Sequence, residues 1–218
     1  MYKRMPPQKL KELRARTAKI DRVLKKLFPH AQCALGFSTP WELMVAVQLS
    51  AQCTDKKVNE ITPALFKKYR RLDDYVRADT KEFQKDIHAT GFFRNKTKNI
   101  LAAAHMVKER YHGRVPHTME DVLKLPGVAR KTANVVLGNA YGVVEGIAVD
   151  THVRRLARAL GLTKEWNPNK IEKDLMQIIP TKEWFAITYR LIEYGRKYCP
   201  ARGHNHHNCP LHRFYFAF

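Results

Sequence analysis

The segment around Lys131 holds the residues whose types and spacing most clearly suggest chemistry. Residues 125–133 have the sequence LPGVARKTA and lie between two apolar helical stretches. The Pro-Gly pair predicts a tight turn, since Gly127 can take a positive φ angle. A helix that begins near Ala129 would point unpaired backbone N–H groups and the positive end of its dipole outward, which suits a phosphate oxygen. Arg130 and Lys131 add positive charge there, although a helical corner with a solvated lysine has the same pattern.

The overall charge also points to an anionic partner. The chain has 218 residues and a formal net charge of +20 at pH 7, yet 44% of its residues are hydrophobic, which is typical of a globular protein rather than a disordered one. Nucleic acid is the first choice of polyanion and an anionic membrane surface the second. No apolar run is long enough to span a bilayer, no signal peptide follows the basic start, and four cysteines do not suggest a disulfide scaffold. We therefore expect a soluble, unexported protein.

The helices that must position this segment can be located from capping residues and apolar periodicity. Apolar residues at spacings of three and four from Leu10 to Leu27 predict an N-terminal helix that Pro29 stops. Thr39–Glu42 predicts the start of a buried helix, and Asp150 predicts the cap of another. Because Val143–Val149 is the only stretch typical of a strand, the fold is predicted to be all-α. Further predicted helices cover residues 55–69, 80–88, 95–111, 118–125, 167–179 and 181–196.

A longer string identifies the hairpin more closely. The sequence LPGVARKTANVVLGNAYG, followed by IAVDTHVRR, closely resembles the helix-hairpin-helix and the following Gly/Pro-Asp region of the endonuclease III family of DNA glycosylases. Residues 49–55 (LSAQCTD), 91–93 (GFF) and 115–116 (VP) match the order and spacing of the same family. The resemblance implies two all-α domains with DNA bound in a cleft between them. A six-helix barrel would cover residues 33–143, and a discontinuous domain would combine residues 1–32 and 144–218.

The resemblance assigns the chemistry to two residues. Lys131 would be the nucleophile and Asp150 the essential carboxylate of a bifunctional glycosylase and abasic-site β-lyase that removes oxidised pyrimidines from double-stranded DNA through a Schiff base. To attack, the amine must lose its proton, although the pKa of a free lysine is about 10.4. Desolvation, the positive charge of Arg130 and the helix N-terminus all favour the neutral amine. Asp150 would deprotonate the nucleophile and stabilise positive charge on the sugar, or would only cap its helix.

The resemblance also implies a set of DNA contacts. Gln52 would fill the gap left by a flipped base, and Phe92 would wedge the opposite stack, although a buried position in the core is an equal alternative for Phe92. Arg154 would contact the phosphate backbone or form part of a solvated basic face. The remaining implied DNA-binding residues are Gly127, Ala129, Arg130, Thr132 and Arg202.

The cofactor of this family is an iron–sulfur cluster held by four cysteines near the C-terminus, and this chain departs from that pattern. At the corresponding positions it has Cys199, His206, Cys209 and Tyr215. Because such clusters normally take four thiolates, we expect that no iron–sulfur cluster is bound. Zinc held by Cys199, Cys209 and some of His204, His206, His207 and His212 is a second possibility, but the spacing matches no common zinc module. The expectation from sequence is that the C-terminal loop packs without metal.

Two other functions stay open at this point. An adenine or mismatch glycosylase of the same superfamily is one, although such proteins generally lack a lysine at position 131. A non-catalytic helix-hairpin-helix DNA-binding protein is the other, and it would have lost catalysis along with the cluster. In each case the expected partner is double-stranded DNA with damaged bases or abasic sites. The expected protein is a monomer of prokaryotic type, cytoplasmic and associated with the nucleoid, with no membrane partner.

Overall fold

The computed structural model describes residues 5–215, and within that range every regular element is a helix. The predicted all-α class is confirmed. The α-helices are α1 (Pro7–Leu27), α2 (Pro40–Leu49), α3 (Asp55–Lys68), α4 (Leu72–Val76), α5 (Thr80–Asp86), α6 (Phe93–Arg110), α7 (Met119–Val122), α8 (Arg130–Tyr141), α9 (Thr151–Ala159), α10 (Pro168–Ile178) and α11 (Trp184–Lys197). Single 3₁₀ turns cover His88–Thr90, Thr181–Glu183, His206–Asn208 and His212–Phe214.

Short polar side chains fix where most of these helices begin. The hydroxyl of Thr39 accepts a hydrogen bond from the backbone N–H of Glu42 at the start of α2, and Thr54 accepts one from Lys57 at the start of α3. Such caps satisfy N–H groups that the first helical turn leaves without partners. The N-terminal helix ends just before Pro29, as its apolar stripe predicts. Nowhere between residues 5 and 215 is a helix long and apolar enough to cross a bilayer.

The chain forms two compact units. The central unit is Ala34–Val143, and the discontinuous unit combines the chain up to Cys33 with the chain from Val144 onward. Helices α2–α8 belong to the central unit, and α1 belongs with α9–α11. That these units are the two domains implied by the resemblance stays a prediction.

The central unit is built on α2. Every residue from Leu43 to Leu49 in α2 is buried, and the helix packs against α8, α3 and α6. Around Tyr75, which is fully buried in the short helix α4, an aromatic cluster is completed by edge or tilted contacts with Trp41, Tyr69 and Phe83. Because α8 packs directly on this buried helix, the position of its first turn is set by the core.

The discontinuous unit holds the N-terminal helix against the C-terminal helices. Ile20 and Leu24 of α1 share one apolar core with residues of α9, α10 and α11. An ion-pair network closes the edge of that core: Lys25 and Arg190 each bridge Asp21 and Glu183, at N–O distances of 2.7–2.9 Å. Two cations that share two carboxylates leave none of the four charges uncompensated at this half-buried edge.

Candidate functional site

The turn at Gly127 brings the end of α7 back into α8 and requires glycine for two reasons. Its φ angle is +75°, a left-handed conformation that side chains disfavour. A Cβ atom there would lie 2.8 Å from Cβ of Asn99 and 2.9 Å from Oε1 of Gln48, which is closer than such atoms approach. The turn therefore seats directly against α2 and α6 of the central unit.

The N-terminus of α8 differs from the capped helices around it. Ala129 stands at the N-cap position, where the caps of α2, α3 and α7 are threonines, and its methyl group cannot accept a hydrogen bond from the first-turn amides. Arg130, Lys131 and Thr132, all half-buried, form the first turn. A cation at a helix N-terminus is unfavourable by about 0.3–1 kcal/mol because it meets the positive end of the dipole. Amides without a side-chain cap and two cations together favour an external anion at this place.

Gln52 and Phe92 are exposed and share a strained backbone conformation. Their φ angles are +54° and +47°, which is uncommon for residues other than glycine. The side chain of Phe92 is 61% exposed, so the alternative of a core position does not hold. Left-handed residues that present large side chains to solvent are typical of functional positions. Both belong to the central unit, as does the hairpin.

Lys96 supports both of these turns and was missed by sequence reasoning. It lies in α6, is 5% exposed, and donates hydrogen bonds from Nζ to the backbone oxygens of Leu49 (2.7 Å) and Thr90 (2.8 Å). Desolvation by burial lowers its pKa. One ammonium group thus joins the end of α2, just before Gln52, to the 3₁₀ turn just before Phe92. A signal was present, because Lys96 occupies the apolar stripe that continues through Ile100, Ala103 and Val107.

Asp150 belongs to the discontinuous unit and caps α9. Its Oδ1 accepts a hydrogen bond from the backbone N–H of Val153 at 2.8 Å. The preceding strand-like segment is held in place by Thr188, whose hydroxyl donates to the backbone oxygen of Ala148 at 3.2 Å. The capping role predicted from sequence is therefore present, and the second carboxylate oxygen retains acceptor capacity for another partner. The catalytic role of Asp150 stays a prediction.

The structure brings together two arginines that the sequence singled out separately. Arg154 and Arg202 both line one cavity of the discontinuous unit, and both are exposed. Arg158 lines the same cavity with its guanidinium stacked over the ring of Trp166, 3.0 Å from the centroid. Arginine groups at an open cavity with an exposed aromatic ring are suited to phosphate and base contacts.

Next to this cavity the C-terminal loop forms a group of four metal-ligating side chains. One ligand atom from each of Cys199, His204, His206 and Cys209 lies within 4.8 Å of all the others. Sγ of Cys209 is 3.4 Å from Nε2 of His204 and 3.9 Å from Nδ1 of His206, and Sγ of Cys199 is 4.0 Å from that same Nδ1. Both cysteines are buried. The expectation that the loop packs without a metal is therefore wrong: the fold collects a complete ligand set, with His204 as a donor that the alignment on Tyr215 missed.

Comparisons with known proteins agree with the resemblance seen in the hairpin sequence. A family model described as HhH-GPD superfamily base excision DNA repair protein matches residues 45–181. A protein named Endonuclease III from Synechocystis sp. is 49% identical over 195 residues, which cover 89% of each chain. The chain belongs to the endonuclease III family. The resemblance that the hairpin sequence suggested is thus confirmed.

Two solved structures of endonuclease III are similar to this family member over nearly its whole length. One is a non-covalent Endonuclease III–DNA complex, with a TM-score of 0.88 and 42% identity, covering 93% of this chain and 94% of the other. The second is a trapped Endonuclease III–DNA covalent intermediate in an estranged-adenine complex, with a TM-score of 0.86 and 41% identity, covering 97% and 96%. The segment matched by the family model contains Gln52, Phe92, the hairpin and Asp150, and it ends before the metal-ligating loop.

The iron–sulfur cluster typical of endonuclease III relatives can be tested against this loop by its donor chemistry. Such clusters normally bind four thiolates, whereas two of the four donors in this family member are imidazoles. The other two cysteines, Cys33 and Cys53, belong to segments on either side of α2 and are not part of the group. The donor set and the four-thiolate pattern therefore disagree, while the four donors lie close enough together to hold a metal ion.

Proposed function

We propose that this chain is a base-excision DNA glycosylase and abasic-site lyase that removes oxidised pyrimidines from double-stranded DNA. The observation that carries the proposal is the first turn of α8, which has no side-chain cap and contains Arg130 and Lys131, a combination suited to an anion site. An anion site of this kind binds a DNA phosphate. An amine at the same place can attack the sugar attached to that phosphate.

The chemistry begins when a damaged nucleotide is turned out of the duplex, which costs a few kcal/mol and least where the base pair is already weak. The neutral amine of Lys131 then forms a bond to C1′ of the sugar, and the bond from C1′ to the base breaks with the electron pair leaving on the base. Opening of the sugar ring gives an imine between Lys131 and C1′. Loss of a proton from C2′ then expels the 3′ phosphate by β-elimination. A hydroxyl or water nucleophile would release the base without forming the imine.

The other site residues have supporting roles in this proposal. Asp150 accepts the proton from the attacking amine and stabilises positive charge on the sugar, while one of its oxygens continues to cap α9. Gln52 and Phe92, held exposed by their backbone conformation, replace the stacking lost when the nucleotide flips. Arg154 and Arg202 bind phosphates of the same duplex. We place the enzyme, as a monomer, at the nucleoid in the cytoplasm of a prokaryotic cell, where its substrate lies.

Borohydride trapping on a duplex with one abasic site tests the assignment of Lys131. Borohydride reduces the imine to a stable covalent adduct, so the wild-type protein is expected to become attached to the DNA. Lys131→Ala and Lys131→Arg should both lose trapping and strand cleavage by on the order of 10³-fold or more, because neither side chain can form the imine.

The Lys131→Arg variant separates chemistry from binding. It keeps the positive charge, so its affinity for the abasic duplex is expected to stay within a few-fold of wild type. Lys124→Ala, at an exposed lysine paired with Glu120 and Asp121, serves as the control and should trap normally. A wild-type protein that binds the duplex without trapping would favour the non-catalytic alternative. Cleavage of abasic DNA without release of oxidised pyrimidines would refute the lesion class alone.

A further inference from the structure

We propose that Cys199, His204, His206 and Cys209 bind one Zn²⁺ ion, and that this ion holds the C-terminal loop in the conformation that presents Arg202. The site would be structural, with four protein ligands and no open position for a substrate.

Three S–N distances between the donors are close to those of a site for one ion. For Zn–S bonds of about 2.3 Å and Zn–N bonds of about 2.0–2.1 Å, a regular tetrahedron places S and N about 3.6 Å apart. The observed S–N distances of 3.4, 3.9 and 4.0 Å differ from that value by only a few tenths of an ångström. A cluster of several irons would hold its protein ligands further apart, since ligands on different irons are separated by the cluster itself.

The chemistry of the donors selects the same ion. Two thiolates and two imidazoles form one of the common structural zinc sets, and zinc accepts mixed sulfur and nitrogen ligands without preference for another geometry. Two thiolates also neutralise the charge of one Zn²⁺ ion. Nearby, Nη1 of Arg155 lies 3.3 Å from Sγ of Cys199, while Nη2 donates to the backbone oxygen of Cys199 at 2.6 Å. Contacts of this kind orient a thiolate ligand and stabilise its charge.

The loop has little else to hold it in place. Apart from His204, every residue from Pro200 to Asn208 is exposed, so burial of apolar surface contributes little to its conformation. The two ends of the loop are fixed, because Cys199 and Cys209 are buried in the core of the discontinuous unit with Leu211 and Phe214. A metal ion bound between those ends and the two histidines would supply the missing stabilisation, as in small zinc modules.

The ion would also determine where Arg202 lies. Arg202 stands two residues before the ligand His204, and the backbone oxygen of Arg202 is 3.1 Å from Nδ1 of that histidine. The same cavity is lined by Arg154, Arg202, His204 and His206. Loss of the metal should therefore release Arg202 from its place beside Arg154. This consequence for DNA rests on the proposed function, whereas zinc binding itself does not.

Metal analysis of the full-length protein, purified without a histidine tag from cells grown with both zinc and iron, tests the site. We expect about one zinc per chain and little iron, and an apo-protein loaded with Co²⁺ should show the intense visible bands of tetrahedral cobalt with thiolate ligation. Stoichiometric iron with inorganic sulfide would overturn the assignment to zinc. A protein that takes up neither Zn²⁺ nor Co²⁺ would overturn the metal site altogether.

Two exposed neighbouring histidines provide a matched pair of variants. His206→Ala should weaken zinc binding by more than the ~10- to 100-fold typical of changes around a metal site, because it removes a ligand. His207→Ala, on the same 3₁₀ turn but outside the ligand group, should keep full zinc content. Equal zinc content in the two variants would refute the ligand set. Because His206 is exposed, its replacement leaves the apolar core of the unit intact. These measurements need no DNA, so their outcome is independent of the trapping experiment.

Discussion

Lys96 is a single side chain on which the geometry of two exposed residues depends. Replacing it with methionine keeps the length of the side chain but leaves the backbone oxygens of Leu49 and Thr90 without their donor. Each buried acceptor left without a partner costs about 1–3 kcal/mol, so we expect the loss of both bonds in Lys96→Met to lower the free energy of unfolding by about 2–6 kcal/mol. Urea unfolding followed by circular dichroism measures the change.

Lys98→Met is the control for that variant. Lys98 lies on the exposed side of the same helix, so its replacement should change the free energy of unfolding by less than about 0.5 kcal/mol. Equal stability of the two variants would show that the bonds of Lys96 contribute nothing. In the Lys96 variant, binding to an abasic duplex should also weaken, since Gln52 and Phe92 follow the two oxygens that Lys96 fixes.

The exposed residues Gln52 and Phe92 are easier to predict from the sequence than Lys96, which supports them. Gly127 was predictable because a Pro-Gly turn needs a local conformation that few other residues adopt. Lys96 was not identified, since its partner Leu49 lies 47 residues away and only the folded chain brings them together. The sequence offers His204 as one of several histidines that could bind zinc, and only the folded loop shows that it lies beside Cys209.

Helix α8 illustrates a conflict between helix stability and anion binding. An acceptor at position 129 would cap the first turn, so Ala129→Asp and Ala129→Asn should each raise the free energy of unfolding by about 0.5–2 kcal/mol. The aspartate should weaken binding to an abasic duplex strongly, because it places a negative charge where the phosphate is proposed to bind. The asparagine should weaken binding less. Thermal unfolding and fluorescence anisotropy measure the two effects. If Ala129→Asp leaves DNA affinity unchanged, the N-terminus of α8 does not bind phosphate.

The helices themselves were largely predictable, because capping and apolar periodicity are local features of the chain. The exception is α4, whose five residues are too few to show a period; it is held by Tyr75, which packs against Trp41, a residue distant in sequence. The predicted start of α6 at residue 95 was two residues late, since α6 begins after the left-handed Phe92.

For the molecule as a whole, the charge of +20 predicts a steep dependence of DNA binding on salt. Each phosphate neutralised by a basic side chain contributes about −0.9 to the slope of log K against log salt concentration. We expect Arg154→Ala and Arg202→Ala each to make the slope shallower by about that amount. Fluorescence anisotropy titrations at several salt concentrations provide the slopes.

Lys124→Ala is the reference for this measurement, because Lys124 is already paired with two carboxylates. Its slope should equal that of the wild type. An unchanged slope for Arg202→Ala would mean that the C-terminal loop does not touch the duplex.

Composition predicts the existence of an anionic partner but not which basic residues contact it. Forty lysines and arginines are distributed along the chain, and only folding brings Arg154 and Arg202 to the same cavity.

The way α1 is held has a consequence for how the protein is made. Helix α1 leaves the ribosome long before α10 and α11, which cover its apolar stripe. During synthesis the central unit has all its residues well before the discontinuous unit does. The stripe of the nascent α1 therefore stays exposed to solvent or to chaperones until α10 and α11 have been made, and in that interval it is prone to non-native association.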